Sequence, residues 1–306
     1  MKTRNPREKL PELTFVERPN VLPTPPARGR VVLVDVAFAY SGDYETQTLP
    51  FLRALGSRLA GWVDHHDHEG WQTFRDDPRF VLVGKKFAPA CPQLITPTLL
   101  ERLGPFEHVL AHADFDGCMT AAKLLRGGSP PYPESDEDAR AIDYPLHGFN
   151  CSPRGLRMAR ALEQAQSTLG SGHVRLLHEL ADTLVRGHEP RDLGEELDAL
   201  ARARLEREAE LSALLPQASR PHPDILLLRL DRAVPPADKK WLLRALQQKN
   251  RIAMIYDGGW TTIATSQVDG PKAIDLSTVE GLLGQAGYAS GQIAPDELID
   301  RLIWIL

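Results

Sequence analysis

Three apolar runs in the first half of the chain end in acidic or histidine side chains. These runs cover residues 30–36, 62–63 and 108–111, and residues 80–83 form a further short run. Each reads as a buried strand, and apolar residues at helical spacing lie between them over 49–60, 94–103 and 119–125. Strands that alternate with helices and are apolar on both faces predict an α/β fold with a parallel sheet and helices on both faces.

The acidic and histidine residues follow these strands directly. Asp35 closes the first run, Asp64 follows the second, and 112–117 (HADFDG) follows the run at 108–111. Ligands of parallel sheets bind beyond the carboxyl ends of the strands, so we expect these distant residues to meet. Carboxylates mixed with imidazoles favour Mn²⁺, with Mg²⁺ left open. Two such ions about 3.5–4 Å apart are a common device for hydrolysing phosphate esters.

Length and composition limit the remaining classes. At 306 residues the chain predicts two domains, and its net charge of -5 argues against a protein that coats nucleic acid through overall charge. The three cysteines show no disulfide or CxxC spacing, which indicates a reducing compartment. No apolar run approaches the roughly 18 residues that a membrane span needs. We therefore expect a cytoplasmic protein without a membrane partner; the oligomeric state is open, a homodimer included.

The sequence divides into four parts. Residues 1–28 are a proline-rich arm, extended on the surface or disordered. Residues 29–153 contain these strands and motifs, and we expect them to form the domain that carries the catalytic site. Residues 154–220, rich in Ala, Leu, Glu and Arg, are a helical connector that could complete the catalytic site, with a long helix over 195–215. The strand pattern returns in 221–306, which predicts a smaller α/β domain.

Two motifs and a lone acid resemble the DHH phosphoesterase superfamily. The motifs are Asp64-His65-His66 and the stretch 112–117, with the small residues Ala121 and Ala122 behind it, and the lone acid is Asp35. This superfamily includes RecJ-like single-strand exonucleases, oligoribonucleases and cyclic-dinucleotide phosphodiesterases. The resemblance implies a metal-dependent phosphoesterase with a parallel-sheet catalytic domain and a smaller associated domain.

Roles for individual residues follow from this resemblance. It implies that one ion is bound by His112 and Asp114, the other by Asp116 and His65, and that Asp35 lies between them. His66 would contact the substrate phosphate or transfer a proton. Asp64 would orient the histidines.

The chain departs from the family pattern in the order of its motifs. The His-x-Asp-x-Asp-Gly segment usually precedes Asp-His-His, whereas here it follows, as in a circularly permuted sheet. The family also has a fourth aspartate. Asp182 is the first choice because 180–184 (LADTL) resembles the Leu-Ala-Asp stretch of RecJ-like proteins. Asp143, after an expected short strand over 139–142, is the alternative.

A second departure lies in the small domain. The associated domain of the family usually carries a Gly-Gly-Gly-His signature that grips the nucleotide. The corresponding stretch here is 284–291 (GQAGYASG), in which Tyr288 replaces the histidine. We expect substrate contacts from four residues of this stretch, which are Gly287, Tyr288, Ser290 and Gly291. A tyrosine can stack on a base.

These features predict a hydrolase that cleaves phosphodiesters in short or single-stranded nucleic acid or in dinucleotides through a water activated by two metal ions. One alternative is a hydrolase of a small phosphorylated metabolite or pyrophosphate. The other is a non-catalytic nucleic-acid-binding scaffold. Degenerate members of the family lose acids from the His-x-Asp-x-Asp segment, whereas this chain retains them, which favours the enzyme.

Overall fold

The computed structural model describes residues 10–18, 21–38, 44–66, 68–143, 150–265, 274–285 and 287–303. The chain divides into two compact units. The first comprises Met1–Ala165 and Leu169–Asp198, and the second comprises Gln166–Thr168 and Ala199–Leu306. Each unit contains its own sheet flanked by helices, which confirms the predicted α/β class.

The sheet of the first unit has five strands, in the order β1-β5-β2-β3-β4, and every neighbouring pair is parallel. The central strands consist almost entirely of buried residues, as expected for a parallel sheet. The strands are β1 (Glu12–Val16), β2 (Val31–Val34), β3 (Leu59–Asp64), β4 (Phe80–Leu82) and β5 (His108–His112).

Seven α-helices begin before residue 198 in the described part of the chain. Polar side chains cap several of them: Thr96 caps α2, Asp114 caps α3 and Ser152 caps α5. None of the helices in the described ranges has the length and apolar character that crossing a membrane requires. The seven are α1 (Leu49–Leu55), α2 (Pro97–Leu103), α3 (Phe115–Leu125), α4 (Ser135–Asp143), α5 (Pro153–Thr168), α6 (Gly172–Arg186) and α7 (Arg191–Ser212).

The edge strand β1 differs from the sequence interpretation of residues 1–28 as an arm. Its five residues pair in parallel with β5 from Glu12 to Val16, and Phe15 and Val16 are buried. The segment ELTFV is short and lies between prolines, so its strand pattern was too brief to distinguish from an extended arm. Part of the predicted arm is therefore a strand of the first sheet.

Two other boundaries differ from the prediction. The helix expected over 49–60 ends at Leu55, because Gly56 at its C-cap takes a positive φ of 53° and Leu59 already begins β3. Gly61, the residue after the predicted helix, lies inside β3. The strand expected over 139–142 is wrong, since these residues belong to α4.

The second unit contains a mixed six-stranded sheet in the order β10-β11-β9-β8-β7-β6. Only β7 and β8 among these strands are parallel neighbours. Apolar residues of both faces are buried in two separate clusters. The elements are β6 (Ser219–His222), β7 (Ile225–Arg229), α8 (Pro236–Gln247), β8 (Ile252–Asp257), β9 (Trp260–Thr265), β10 (Leu283–Gln285), β11 (Tyr288–Gly291) and α9 (Pro295–Ile303).

Candidate metal centre

The carboxyl ends of β5, β2 and β3 lie side by side and bring the acid and histidine motifs together. Asp35 follows β2, Asp64 is the last residue of β3, and His112 is the last residue of β5. These three strands are direct neighbours in the sheet. We call the residues gathered there the site cluster, defined as Asp35, His65, His66, His112, Asp114, Asp116 and Asp143.

His65 has one ring nitrogen anchored and the other directed at carboxylates. Its Nδ1 lies 2.9 Å from the Ala88 carbonyl oxygen, which can only accept, so Nδ1 carries the hydrogen. In the neutral ring, Nε2 is then an acceptor. It lies 3.1 Å from Asp35 Oδ1, 3.3 Å from Asp116 Oδ2 and 3.8 Å from Asp143 Oδ2. An imidazole lone pair that faces three carboxylates is arranged to bind a cation.

Asp35 is held in a strained and buried position. Its φ of 57° is the only positive value at a non-glycine residue in the described part of the chain. A backbone angle of this kind costs energy and is concentrated at functional sites. Neither carboxylate oxygen has a hydrogen-bond partner among the described residues. Burial raises the pKa of Asp35 well above its usual value, and the nearby Asp114 raises it further.

Asp116 is a second buried acid with an unpaired oxygen. Its Oδ2 accepts a hydrogen bond of 3.0 Å from the Cys91 backbone amide, while Oδ1 has no partner within the described ranges. Burial raises the pKa of Asp116, and the Asp35 charge raises it further. Asp35 and Asp116 each lie within 3.3 Å of His65 Nε2, and two buried carboxylates beside the same nitrogen are unfavourable unless a proton or a cation lies with them.

Asp114 serves the helix and the site cluster with different oxygens. Oδ1 accepts from the Gly117 amide at 2.9 Å and caps α3. Oδ2 lies 3.2 Å from His112 Nδ1. The same His112 nitrogen is 4.0 Å from Asp35 Oδ2. The cap fixes the carboxylate, so that its second oxygen is held beside the histidine.

Asp64 lies behind His66 and orients it. Its Oδ1 is 2.8 Å from His66 Nδ1, and its Oδ2 accepts a hydrogen bond of 2.9 Å from the Phe38 amide. A carboxylate accepts, so the neutral ring carries its hydrogen on Nδ1 and leaves Nε2 as the acceptor. Burial lowers the pKa of His66, and Asp64 opposes this shift.

The structure places the two candidates for the fourth acid in different surroundings. Asp182, the first choice, lies on α6 with its side chain 52% exposed and paired to Arg186 at 2.6 Å. It is not part of the site cluster. Asp143, the alternative, is only 12% exposed and lies 3.8 Å from His65 Nε2. The Leu-Ala-Asp stretch lies on an amphipathic helix, whose apolar residues are buried while Asp182 faces solvent.

The site cluster forms three overlapping groups within the described residues. In each group the candidate ligand atoms lie within 4.8 Å of one another. The group Asp35-His65-His66 shares Asp35 with the group Asp35-His112-Asp114, and it shares His65 with the group His65-Asp116-Asp143. The unpaired buried oxygens and the His65 lone pair are all acceptors and repel one another, whereas each of them can coordinate a divalent cation.

The sequence analysis did not identify the loop whose residues form hydrogen bonds and an ion pair with the site cluster. We call residues 84–91 (GKKFAPAC) the 84–91 loop. Besides the contacts of Ala88 and Cys91, Lys85 Nζ lies 2.7 Å from Asp143 Oδ2. Burial alone would lower the pKa of Lys85, but Asp143 raises it above its usual value. The available signal was positional, since this loop follows the carboxyl end of another parallel strand, β4.

The predicted substrate contacts of the second unit lie on β11 and the residue before it. Tyr288 is 44% exposed, as a stacking residue would have to be. Gly291 is buried, and a Cβ there would come within 2.0 Å of the Gly281 carbonyl oxygen, so packing already requires this glycine. Gly287 accepts from the Thr265 amide through its carbonyl oxygen, and Ser290 is partly buried. Substrate binding by these four residues stays a prediction.

Comparison with known proteins gives structural likenesses only. No protein-family model matches the chain, and no curated protein does. One similar solved structure is exonuclease RecJ bound to manganese, with 18% identity, a TM-score of 0.44, and coverage of 90% of this chain and 74% of that one.

Two further structures are of the same kind. The pGpG-specific phosphodiesterase PggH from Vibrio cholerae has 13% identity and a TM-score of 0.45 over 90% of this chain and 96% of its own. RecJ from Thermus thermophilus in complex with Mn²⁺ has 16% identity and a TM-score of 0.45 over 90% of this chain, and only 44% of that chain is covered.

Stabilisation by metal should increase with pH. Because the pKa values of Asp35 and Asp116 are raised, the metal-free protein takes up protons on folding and loses stability as the pH rises above about 3.9 through these raised values. A divalent ion binds the deprotonated carboxylates and removes this penalty. We expect saturating Mn²⁺ to raise the unfolding midpoint by about 5–10 °C near neutral pH and by less in acid. Thermal unfolding in Mn²⁺ and in EDTA across this range measures the difference; a shift independent of pH contradicts it.

Proposed function

We propose that this protein is a metal-dependent phosphodiesterase whose site cluster holds two divalent ions, Mn²⁺ in preference to Mg²⁺. Its substrates are short or single-stranded nucleic acid or dinucleotides, cleaved by hydrolysis. The main support is the arrangement around His65, an anchored imidazole whose free lone pair faces buried carboxylates with unpaired oxygens. Structural ion pairs place cations against acids, whereas the neutral His65 ring places an acceptor nitrogen against the acceptor oxygens of Asp35 and Asp116.

The residues divide between the two proposed ions. Asp35 would be a ligand of both ions, His112 and Asp114 would bind one of them, and His65, Asp116 and Asp143 would bind the other. Ions held there would lower the pKa of a water molecule and neutralise charge on the phosphate. The mixture of carboxylates with imidazoles fits Mn²⁺, which accepts nitrogen ligands more readily than Mg²⁺ does.

His66 has a separate proposed role in proton transfer. Its Nδ1 is engaged by Asp64, and burial, which lowers its pKa, favours the neutral ring near pH 7. The Nε2 lone pair is then able to accept a proton during hydrolysis and return it to the leaving oxygen. Asp64 acts through His66 and is a positioning residue.

A degradation assay tests this function. The purified protein is incubated with Mn²⁺ and end-labelled DNA and RNA oligonucleotides, and in parallel with linear and cyclic dinucleotides. We expect Mn²⁺-dependent cleavage of at least one of these substrates, which EDTA abolishes and added Mn²⁺ restores. Elemental analysis after dialysis against Mn²⁺ should find two ions per chain.

Two other results would point to the alternatives. Hydrolysis of pyrophosphate or a phosphate monoester, with every phosphodiester left intact, would identify a small-molecule phosphatase. Binding of oligonucleotides without cleavage and without Mn²⁺ uptake would identify a non-catalytic scaffold. Either result would refute the proposed phosphodiesterase.

A further inference from the structure

We propose that the 84–91 loop is a nucleotide-binding element, in which Phe87 stacks on the base next to the scissile phosphate and Lys85 pairs with a phosphate oxygen. The inference rests on the proposed function for the position of the scissile phosphate. It assigns base recognition to a loop of the first unit, apart from the small-domain stretch that the sequence predicts.

The loop is tied to the site cluster at three points. The Ala88 carbonyl accepts from His65 Nδ1 at 2.9 Å, the Cys91 amide donates to Asp116 Oδ2 at 3.0 Å, and the ammonium of Lys85 lies 2.7 Å from Asp143 Oδ2. The loop's first residues form a tight turn, since the Phe87 amide donates to the Gly84 carbonyl at 2.8 Å. The backbone at residues 85 and 87 is therefore held near the proposed metal ligands.

Phe87 is an exposed aromatic residue in a loop that contacts the site cluster. It is 79% exposed, more than any other large apolar side chain in the described part of the chain. A single exposed apolar residue normally needs no explanation. This one adjoins Ala88, and consecutive Cα atoms are only about 3.8 Å apart, so its backbone lies next to the residue that anchors His65.

Two lysines precede this ring. Lys85 is 24% exposed at its side chain and pairs with Asp143 of the site cluster, and Lys86 is exposed. An ammonium group near the cluster attracts phosphate and supplies no contact specific to one base. Cations beside an aromatic ring are the combination that binds single-stranded nucleic acid without strict sequence preference. The ligand class that fits both groups is a nucleotide.

The test measures binding, so it does not depend on turnover. Calorimetry with the Mn²⁺-bound full-length protein compares adenosine monophosphate with ribose 5-phosphate, which has the same phosphate and sugar but no base. We expect the wild-type protein to bind the nucleotide about 10-fold more tightly, the usual size of one stacking interaction. Phe87→Ala should remove this preference and leave ribose 5-phosphate binding unchanged, whereas Phe87→Trp should preserve it.

Lys85 is tested in the same assay. Lys85→Met should weaken the binding of both ligands by a similar factor, because it removes a phosphate contact, and Lys85→Arg should restore part of the loss.

Val21→Ala is the matched control for Phe87→Ala, since Val21 is another exposed apolar residue of the first unit, at 53% exposure. It should bind like the wild-type protein. Equal weakening by Val21→Ala would indicate a non-specific effect and overturn the assignment.

The inference and the proposed function fail separately. Equal affinity of the wild-type protein for the two ligands, or a preference that survives Phe87→Ala, overturns the nucleotide-binding loop even if phosphodiesters are hydrolysed. A Phe87-dependent preference without hydrolysis of any phosphodiester supports the loop and refutes the phosphodiesterase. Unfolding midpoints of the variants show that each is folded.

Discussion

Asp35→Asn will abolish hydrolysis and, at the same time, make the metal-free protein more stable. The activity should fall by more than about 100-fold. Loss of a residue that only orients a metal ligand costs about 10- to 100-fold, and loss of a ligand itself should cost more. The stability should rise by about 1 kcal/mol or more, because the substitution removes a buried acid with a raised pKa, which near neutral pH must either bury its charge or take up a proton on folding. Asparagine is the appropriate replacement, since it tolerates the left-handed backbone at φ 57°.

Two measurements on the same sample check this expectation. The value of kcat/KM is determined with Mn²⁺, and the free energy of unfolding is determined in EDTA. Loss of activity together with lower stability would mean that the substitution disrupts the fold rather than the metal centre. Retained Mn²⁺-dependent activity would exclude Asp35 as a ligand.

The same change at two other aspartates supplies a matched control. Asp143→Asn should reduce activity strongly, because Asp143 lies in the site cluster. Asp182→Asn should leave activity unchanged, because Asp182 lies on the surface of α6 and pairs with Arg186. Comparing these two variants shows whether the fourth acid is Asp143, as the structure indicates, or Asp182, as the sequence favours.

The convergence of the motifs was predictable because it depends on strand order more than on chain order. The apolar runs at β2, β3 and β5 are strong local signals, and parallel strands deliver their following residues to one edge. In the sheet, β5 lies beside β2, and β2 lies beside β3. Asp35 is therefore central, and a permuted order of the motifs leaves their strand ends adjacent.

The features that the sequence analysis missed or, like Asp143, ranked second depend on contacts between distant segments. Asp143 reaches His65 from the end of α4, and the Ala88 carbonyl anchors His65 from a loop without a recognisable motif. A backbone carbonyl carries no residue-type signal, so no sequence pattern marks it. β1 was missed for a related reason, because a five-residue edge strand is defined by its partner, β5, more than by its own alternation.

Gly117→Ala will disturb the fold and the site together. Gly117 lies in the first turn of α3, where a Cβ would come within 2.2 Å of the His112 carbonyl oxygen and 2.9 Å of its carbonyl carbon. Both are backbone atoms, so the turn from β5 into α3 has to shift. The shift would lengthen the hydrogen bond from the Gly117 amide to Asp114 Oδ1, now 2.9 Å. We expect a loss of about 1–3 kcal/mol in stability.

The activity of Gly117→Ala should fall by about 100-fold, the scale of a displacement of roughly 1 Å in a catalytic arrangement. Gly194→Ala is the control, because Gly194 lies in α7 and a Cβ there would meet only the end of the Glu189 side chain within 3 Å. Alanine favours a helix over glycine, so this control should be as stable as the wild-type protein or more so. Urea unfolding and Mn²⁺-dependent turnover of both variants decide the matter. If Gly117→Ala matches the control in both, the close approach of α3 to β5 does not set the positions of His112 and Asp114.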